Sequence, residues 1–314
     1  MAPAPAGLVV VDKPQGLTSH DVVGKLRRLA GTRKVGHAGT LDPLATGVLV
    51  VGVGAATRLL THLSGTTKSY TATIRLGQAT DTDDAEGQVV AGGGCRELAE
   101  QTLAAEIARL TGDILQVPAS VSAIKVDGQR AYARVRQGQG VQLAARPVTV
   151  SRFEVVSPPR PARAADGTPV LDVDVDIDCS AGTYIRALAR DLGKQLGCGG
   201  HLTALRRTRV GAYRLDAAHT LEELSAEVMA GNAAEPPVAL RVVGLAAVAR
   251  AEFTVREVTQ VEAAALRQGR FLPARGPAAQ AAIGPHEDLV ALLRRQGEHD
   301  RPHVVFAPPG QMGN

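Results

Sequence analysis

Asp42 is the single acid of "GHAGTLDPLATGVLVV", residues 36–51, where most of its neighbours are small or apolar. A carboxylate in that setting can attack an electrophilic carbon or accept a proton, provided it is rigidly mounted. A residue preceding proline is pushed out of the helical region, so Pro43 gives Asp42 an extended backbone. Gly36, Gly39 and Gly47 let the chain turn tightly around it and let a ligand approach the main chain. The competing reading makes Asp42 the cap of a short helical turn with Pro43 at its first position. That explains the Asp-Pro pair but leaves His37, Thr40 and the three glycines of the same loop without a purpose.

A second anomaly lies in "AGTYIRALARDLG". Thr183 is a natural N-cap, which puts Arg186 at the third helical position, where the helix dipole and the capping box both favour an acid. An anion is expected beside it: Asp42, a phosphate, or both. Downstream, "HLTALRRTRVGAYRL" carries Arg206, Arg207, Arg209 and Arg214, which read as a basic ladder for a phosphate backbone. The four tyrosines, Tyr70, Tyr132, Tyr184 and Tyr213, each lie within two residues of Lys or Arg. Rings beside cations suit unstacked bases and their phosphates, although tyrosine also serves at a core rim.

Other acidic clusters are weaker candidates. Asp172, Asp174, Asp176 and Asp178 alternate in "DVDVDID", so they share one strand face at about 7 Å spacings, too far apart for one cation. They read as a solvated acidic face. "TDTDDAEG", residues 80–87, fails the calcium-loop pattern and reads as an acidic turn. "VGVGAAT" lacks the third glycine of a dinucleotide turn.

These residues need elements to hold them. "GLVVVDKP", "GVLVVGVG", "KSYTATIRLG", "RPVTVSRFEVVS" and "VLDVDVDIDCS" read as strands. "SHDVVGKLRRLAG", with Ser19 as cap and Gly31 as stop, reads as a helix, as do "CRELAEQTLAAEIARLTG" and "TYIRALARDLGKQLG". Thr220 and Glu223 form a capping box that opens another. Strands and helices mix without regular alternation, so the expected class is α+β with a mixed, largely antiparallel sheet and flanking helices. After "GNAAEPPVAL", which reads as a linker, short strand-like pieces point to a small C-terminal β domain.

The chain has 314 residues, 45% hydrophobic and 21% charged, an ordinary composition that argues against disorder and against a membrane span. "MAPAPAG" lacks a signal peptide's basic start and apolar region, so a cytoplasmic location is expected. Three cysteines, none spaced as a metal pair, read as reduced core residues, and no metal is expected. The net charge of +4 leans toward an anionic partner.

"KPQGLTS", "KVGHAGTLDPLATGVLVVGVGAATRL", "KSYTATIRLGQATDTDDAEG", "SAIKVDGQRAYARVRQG" and "GTYIRALARDLG" followed by "HLTALRR" resemble, in that order, the motifs of the bacterial tRNA pseudouridine-55 synthase family, the TruB family. The resemblance covers roughly residues 8–215, and more weakly the C-terminal stretch resembles a PUA RNA-binding domain. It implies the pseudouridine synthase fold over residues 1–235, an RNA-clamping insertion at about 118–146, and a PUA-like domain at 245–314. It further implies isomerisation of uridine 55 in the tRNA T loop, with base flipping and no cofactor; a monomer is the default expectation for assembly, and no required protein partner is expected. By the same resemblance Asp42 is the essential acid, as nucleophile or as base. Tyr70 packs on the target base, Tyr184 supports it, and Arg186 pairs with the acid. Leu205 walls the base pocket, His37 contacts flipped nucleotides, and Asp84 joins the Arg186 network. Lys13, Arg206 and Arg207 are expected on the substrate side. Ala119 and Val121 depart from the family pattern, which puts one stacking contact under the clamp in doubt. Two other readings stand beside this one: a guide-RNA-dependent synthase sharing the "GTLDP" loop, and an RNA-binding protein without catalysis.

Overall fold

A computed structural model describes residues 6–119, 144–232 and 240–306, together with the short strands Lys125–Val126 and Gln129–Arg130. Most of the 118–146 insertion, Tyr132, Val121 and most of the linker fall outside the described residues.

The main sheet runs in the order Val243–Gly244, Gly7–Lys13, Thr46–Val53, Gly200–Val210, Lys68–Leu76, Pro169–Cys179, Arg146–Val155, Gly112–Gln116. Every neighbouring pair on this path is antiparallel except Thr46–Val53 with Gly200–Val210, joined only through Arg206↔Thr46 and Arg207↔Gly47. The Asp42 loop enters the sheet at this short parallel junction.

Strand alternation sorts the two faces as the period of two requires. Tyr70, Ala72, Ile74 and Leu76 are buried, whereas Ser69, Thr71, Thr73 and Arg75 look outward. The outward aspartates meet cross-strand partners: Asp172 with Arg75, Asp174 with Thr73 and Arg160, Asp176 with Arg152, Asp178 with Ser69 and Arg209. Among the described residues no cluster of acids, histidines or cysteines is arranged to hold a metal ion.

The helix Ile185–Gln195 buries Ile185, Leu188, Ala189 and Leu192 in the core beneath the sheet. Each large aliphatic chain buried there contributes about 1.5–3 kcal/mol relative to exposure. Two helix starts differ from the sequence reading. Thr18, not Ser19, caps the first helix through a capping box with Asp21, which frees Ser19 to bond the Asp42 loop. Tyr184, not Thr183, precedes the second, so Arg186 is its second residue.

The C-terminal unit is a five-stranded sheet, with Val255–Glu257, Ala281–Ile283, Leu289–Gln296, His299–Val305 and Leu272–Pro273 in that order, packed against the helix Gln260–Arg267. It is not tethered by the linker alone. Leu8, Val10, Val48 and Val50 of the main sheet share one buried cluster with Ile283, Leu289, Leu292 and Phe306. Tyr213 lies in that cluster too, so the cation beside it in sequence marks a structural residue rather than a base platform.

Gly47 has φ +97°, and a Cβ there would lie 2.2 Å from the Arg207 carbonyl oxygen. Backbone cannot yield as a flexible side chain can. Gly47→Ala is expected to cost more than about 3 kcal/mol in urea-induced unfolding. A variant within about 1 kcal/mol of the parent would show that the junction is softer than this packing implies.

Candidate active site

The loop carrying Asp42 is bolted down on both sides. Ser19 Oγ donates to the Leu41 carbonyl (3.0 Å) and accepts from the Leu41 amide (2.8 Å). The Pro43 carbonyl accepts from the Gly16 amide (2.8 Å) and from Lys13 Nζ (3.4 Å). The Ala45 amide closes a turn onto the Asp42 carbonyl (3.1 Å). Arg207 donates to the carbonyls of Gly39 (3.2 Å), Thr40 (3.4 Å) and Val48 (2.7 Å). The peptide groups on either side of Asp42 are therefore fixed while its own side chain remains 40% exposed.

Two sequence expectations change here. Arg207 is 1% exposed and so does not belong to a surface ladder for phosphates, and Lys13, expected on the substrate side, is 0% exposed. On a strand, residues 206 and 207 point to opposite faces. Arg206 looks outward to Asp12 (2.6 Å), while Arg207 turns inward and organises the loop. Lys13 Nζ is engaged by the carbonyls of Leu17 (2.6 Å), Pro14 (2.9 Å) and Pro43. Both cations hold backbone from within, and Arg207 also lines the cavity beside Asp42.

Arg186 links the loop to the acidic turn. Its guanidinium meets Asp42 Oδ2 at 3.0 Å and Asp84 Oδ2 at 3.3 Å, and donates to the Thr82 carbonyl at 2.9 Å. Its side chain is 8% exposed and that of Asp84 is 3% exposed. Among the candidates the sequence left for its partner, Asp42 is present, with Asp84 as a second anion. The turn that presents Asp84 places Asp83 at φ +61°, uncommon outside glycine, and pairs it with Arg190 at 3.1 Å. Burial pushes the Asp83 carboxyl up to about 6. The helix start is held by Gln116, whose Oε1 accepts from the Tyr184 amide (2.8 Å) and whose Nε2 donates to the Tyr184 carbonyl (3.1 Å).

Together these elements enclose a cavity of about 260 Å³ lined by Asp42, Tyr70, Tyr184, Arg186, Leu205 and Arg207, among others. Tyr70 is nearly covered, and burial raises its phenol so that it stays protonated. Leu205 lines both this cavity and a neighbouring hollow that Arg206 also lines. His37 does not line the cavity; its ring sits edge-on to His20 at 5.5 Å, and burial lowers its basicity.

The sequence reading missed Gln116, Ser19 and Lys68. Lys68 stands two residues before Tyr70 on the same inward face, which period-two alternation could have revealed. Gln116 and Ser19 are brought in from 68 and 22 residues away in sequence, and no local signal marks them.

Comparisons with known proteins agree along nearly the whole chain. Residues 27–185 match the TruB family pseudouridylate synthase N-terminal domain, residues 186–245 the tRNA pseudouridylate synthase B C-terminal domain, and residues 253–307 the tRNA pseudouridine synthase II C-terminal region. The tRNA pseudouridine synthase B of Arthrobacter sp. (strain FB24) is 56% identical over 98% of either chain. That of Paenarthrobacter aurescens (strain TC1) is 55% identical over 96% of either. Among solved structures, a chain of a Cbf5–Nop10–Gar1 complex superposes with TM-score 0.70 at 24% identity, covering 98% of this chain and 87% of that one. A chain of an H/ACA RNP bound to a substrate RNA containing 2′-deoxyuridine gives TM-score 0.69 at 24% identity, covering 96% and 85%. At that identity the likeness is one of fold.

Proposed function

The chain belongs to the TruB family of pseudouridylate synthases, and from that footing we propose that it converts uridine 55 of the tRNA T loop to pseudouridine, with Asp42 acting on the flipped nucleoside. The observation that carries the assignment of the site is the pairing of a rigid backbone with an accessible carboxylate: Asp42 is tied to Arg186 at one oxygen yet 40% exposed, at the mouth of a cavity floored by Tyr70.

A uridine stacked in a folded loop cannot be reached in place, so it is extruded at a cost of a few kcal/mol. Stacking on an aromatic ring such as Tyr70, and contact with the apolar wall at Leu205, offset that cost. The C1′–N1 bond then breaks, the ring rotates, a C1′–C5 bond forms, C5 gives up its proton and N1 gains one. Product and substrate have the same composition, so the chemistry asks for neither oxidant nor group donor. Asp42 serves as nucleophile or base; Arg186 aims it, and the fixed Leu41 and Pro43 peptides keep it from retreating.

The chain is further proposed to divide into a synthase unit over residues 1–235 and an RNA-binding unit over 245–314, and to act on tRNA in the cytoplasm without a protein partner. No described helix is long and apolar enough to cross a membrane.

Release of tritium from [5-³H]uridine in an unmodified T-arm stem-loop tests the reading. The purified chain alone is expected to turn over repeatedly. Release that requires an added guide RNA or protein would favour the guide-dependent alternative instead.

A further inference from the structure

We propose that Lys68 is a further catalytic residue of this cavity, donating a hydrogen bond to a carbonyl oxygen of the bound uracil and stabilising the negative charge that the ring acquires when its bond to C1′ breaks. The proposal rests on the isomerase reading above.

Lys68 lines the same cavity as Asp42 and Tyr70 and is buried. Its Nζ donates to the carbonyls of Ser64 (3.0 Å) and Thr66 (2.8 Å), which engages two of its three N–H groups. Among the described residues no carboxylate lies within ion-pair reach of Lys68 or of its neighbour Arg207, whose bonds also go to carbonyls. Burying an ammonium without an anion is unfavourable, so stability alone does not account for its placement. Among the described residues Asp42 is the only carboxylate lining the cavity, and it is occupied by Arg186. Among the described residues the floor thus carries two cations, Lys68 and Arg207, with no anion paired to either.

The reaction generates one. When the glycosidic bond breaks heterolytically, the electron pair stays on N1 and spreads over O2 and O4 of the ring. C5 then returns a pair to C1′, which leaves a neutral ring still carrying the C5 proton; that proton departs, the ring is briefly anionic again, and N1 takes up a proton to give the neutral C5-linked base. Donors fixed where charge develops, in a site closed to water, act without reorganising. Lys68 and Arg207 face the cavity from adjacent strands, so a base resting on Tyr70 directs its polar edge toward them.

The groups facing Lys68 are Arg207 from the Gly200–Val210 strand, Cys179 directly opposite on the Pro169–Cys179 strand, Tyr70 on its own strand and Asp42 across the cavity. Burial, and then Arg207, bring the Lys68 ammonium down to about 8, while burial lifts the Cys179 thiol to about 11. Near neutral pH the ammonium is charged and the thiol neutral.

The test measures kcat and KM on the T-arm stem-loop for the parent chain, Lys68→Met and Lys68→Arg between about pH 6 and 10. Lys68→Met is expected to lose about 10²-fold in kcat with little change in KM. The parent rate should fall above about pH 8 as the ammonium deprotonates. Lys68→Arg should keep its rate through that range, because a guanidinium stays charged. Lys13, also brought down to about 8 by burial, would cause a fall that Lys68→Arg leaves in place. That result would overturn the proposal, as would a Lys68→Met kcat within about threefold of the parent, or a loss confined to KM as for a phosphate contact. Should Lys68→Met fail to fold, the pH profile of Lys68→Arg decides. A parent chain inert at every pH would overturn the isomerase reading and this proposal together; an active parent indifferent to Lys68 overturns this proposal alone.

Discussion

Asp42→Asn is expected to abolish pseudouridine formation, by at least about 10⁴-fold in kcat, while the T-arm still binds. Asparagine keeps the shape of the side chain but can neither attack a sugar carbon nor hold a proton taken from it. The rest of the site should stand. Leu41 and Pro43 remain fixed by Ser19, Gly16 and Lys13, and Arg186 keeps Asp84 and the Thr82 carbonyl. Little stability should be lost, because Asp42 is substantially exposed and its ion pair is screened by water. RNA affinity should hold or rise slightly, since one negative charge leaves a surface that approaches phosphates. Gel-shift binding and tritium release on the same preparation separate the two effects. Turnover within about tenfold of the parent would move the chemistry to another residue.

Arg186→Gln is expected to fail in two ways at once. The Asp84 carboxylate, 3% exposed, would lose its cation and keep only Thr82 Oγ1 (2.6 Å) and the Glu86 amide (3.1 Å). Breaking a buried pair by removing one partner costs about 3–5 kcal/mol, visible as a lowered urea midpoint. Catalysis should fall as well, by about 10²-fold or more, because Asp42 is no longer aimed. The double variant Arg186→Gln/Asp84→Asn separates these effects. It removes the stranded charge and should recover most of the stability while remaining inactive. An Arg186→Gln chain as stable and as active as the parent would mean that the Asp42–Arg186–Asp84 bridge matters to neither property.

How far the sequence foretold this site follows from the physics of its parts. Asp42 was legible because an acid among glycines, followed by proline and a wholly apolar strand, is unusual for every purely structural purpose. Arg186 was legible as a cation at a helix start, even though the cap lies one residue later than the sequence suggested. The strands were legible from their alternation, and the "DVDVDID" face finds cross-strand arginines and hydroxyls, as a solvated acidic face should. Arg207 and Lys13 were harder to place, because composition cannot tell an arginine that meets phosphates from one that saturates carbonyls beside a cavity. That distinction depends on which face of a strand looks inward and on what lies behind it. Gln116 and Ser19 could not be found at all, since their partners arrive from distant parts of the chain. The docking of the C-terminal unit through Leu8, Val10 and Phe306 was hidden for the same reason.

Catalysis requires that an extruded uridine meet Asp42 inside the cavity floored by Tyr70. A crystal structure of the Asp42→Asn chain with a T-arm stem-loop tests it most directly. The target base is expected between Tyr70 and Leu205, with the nucleoside within about 3.5 Å of the residue 42 side chain. A target uridine still stacked in its loop, or seated in the outer hollow beside Arg206 and beyond reach of residue 42, would contradict it.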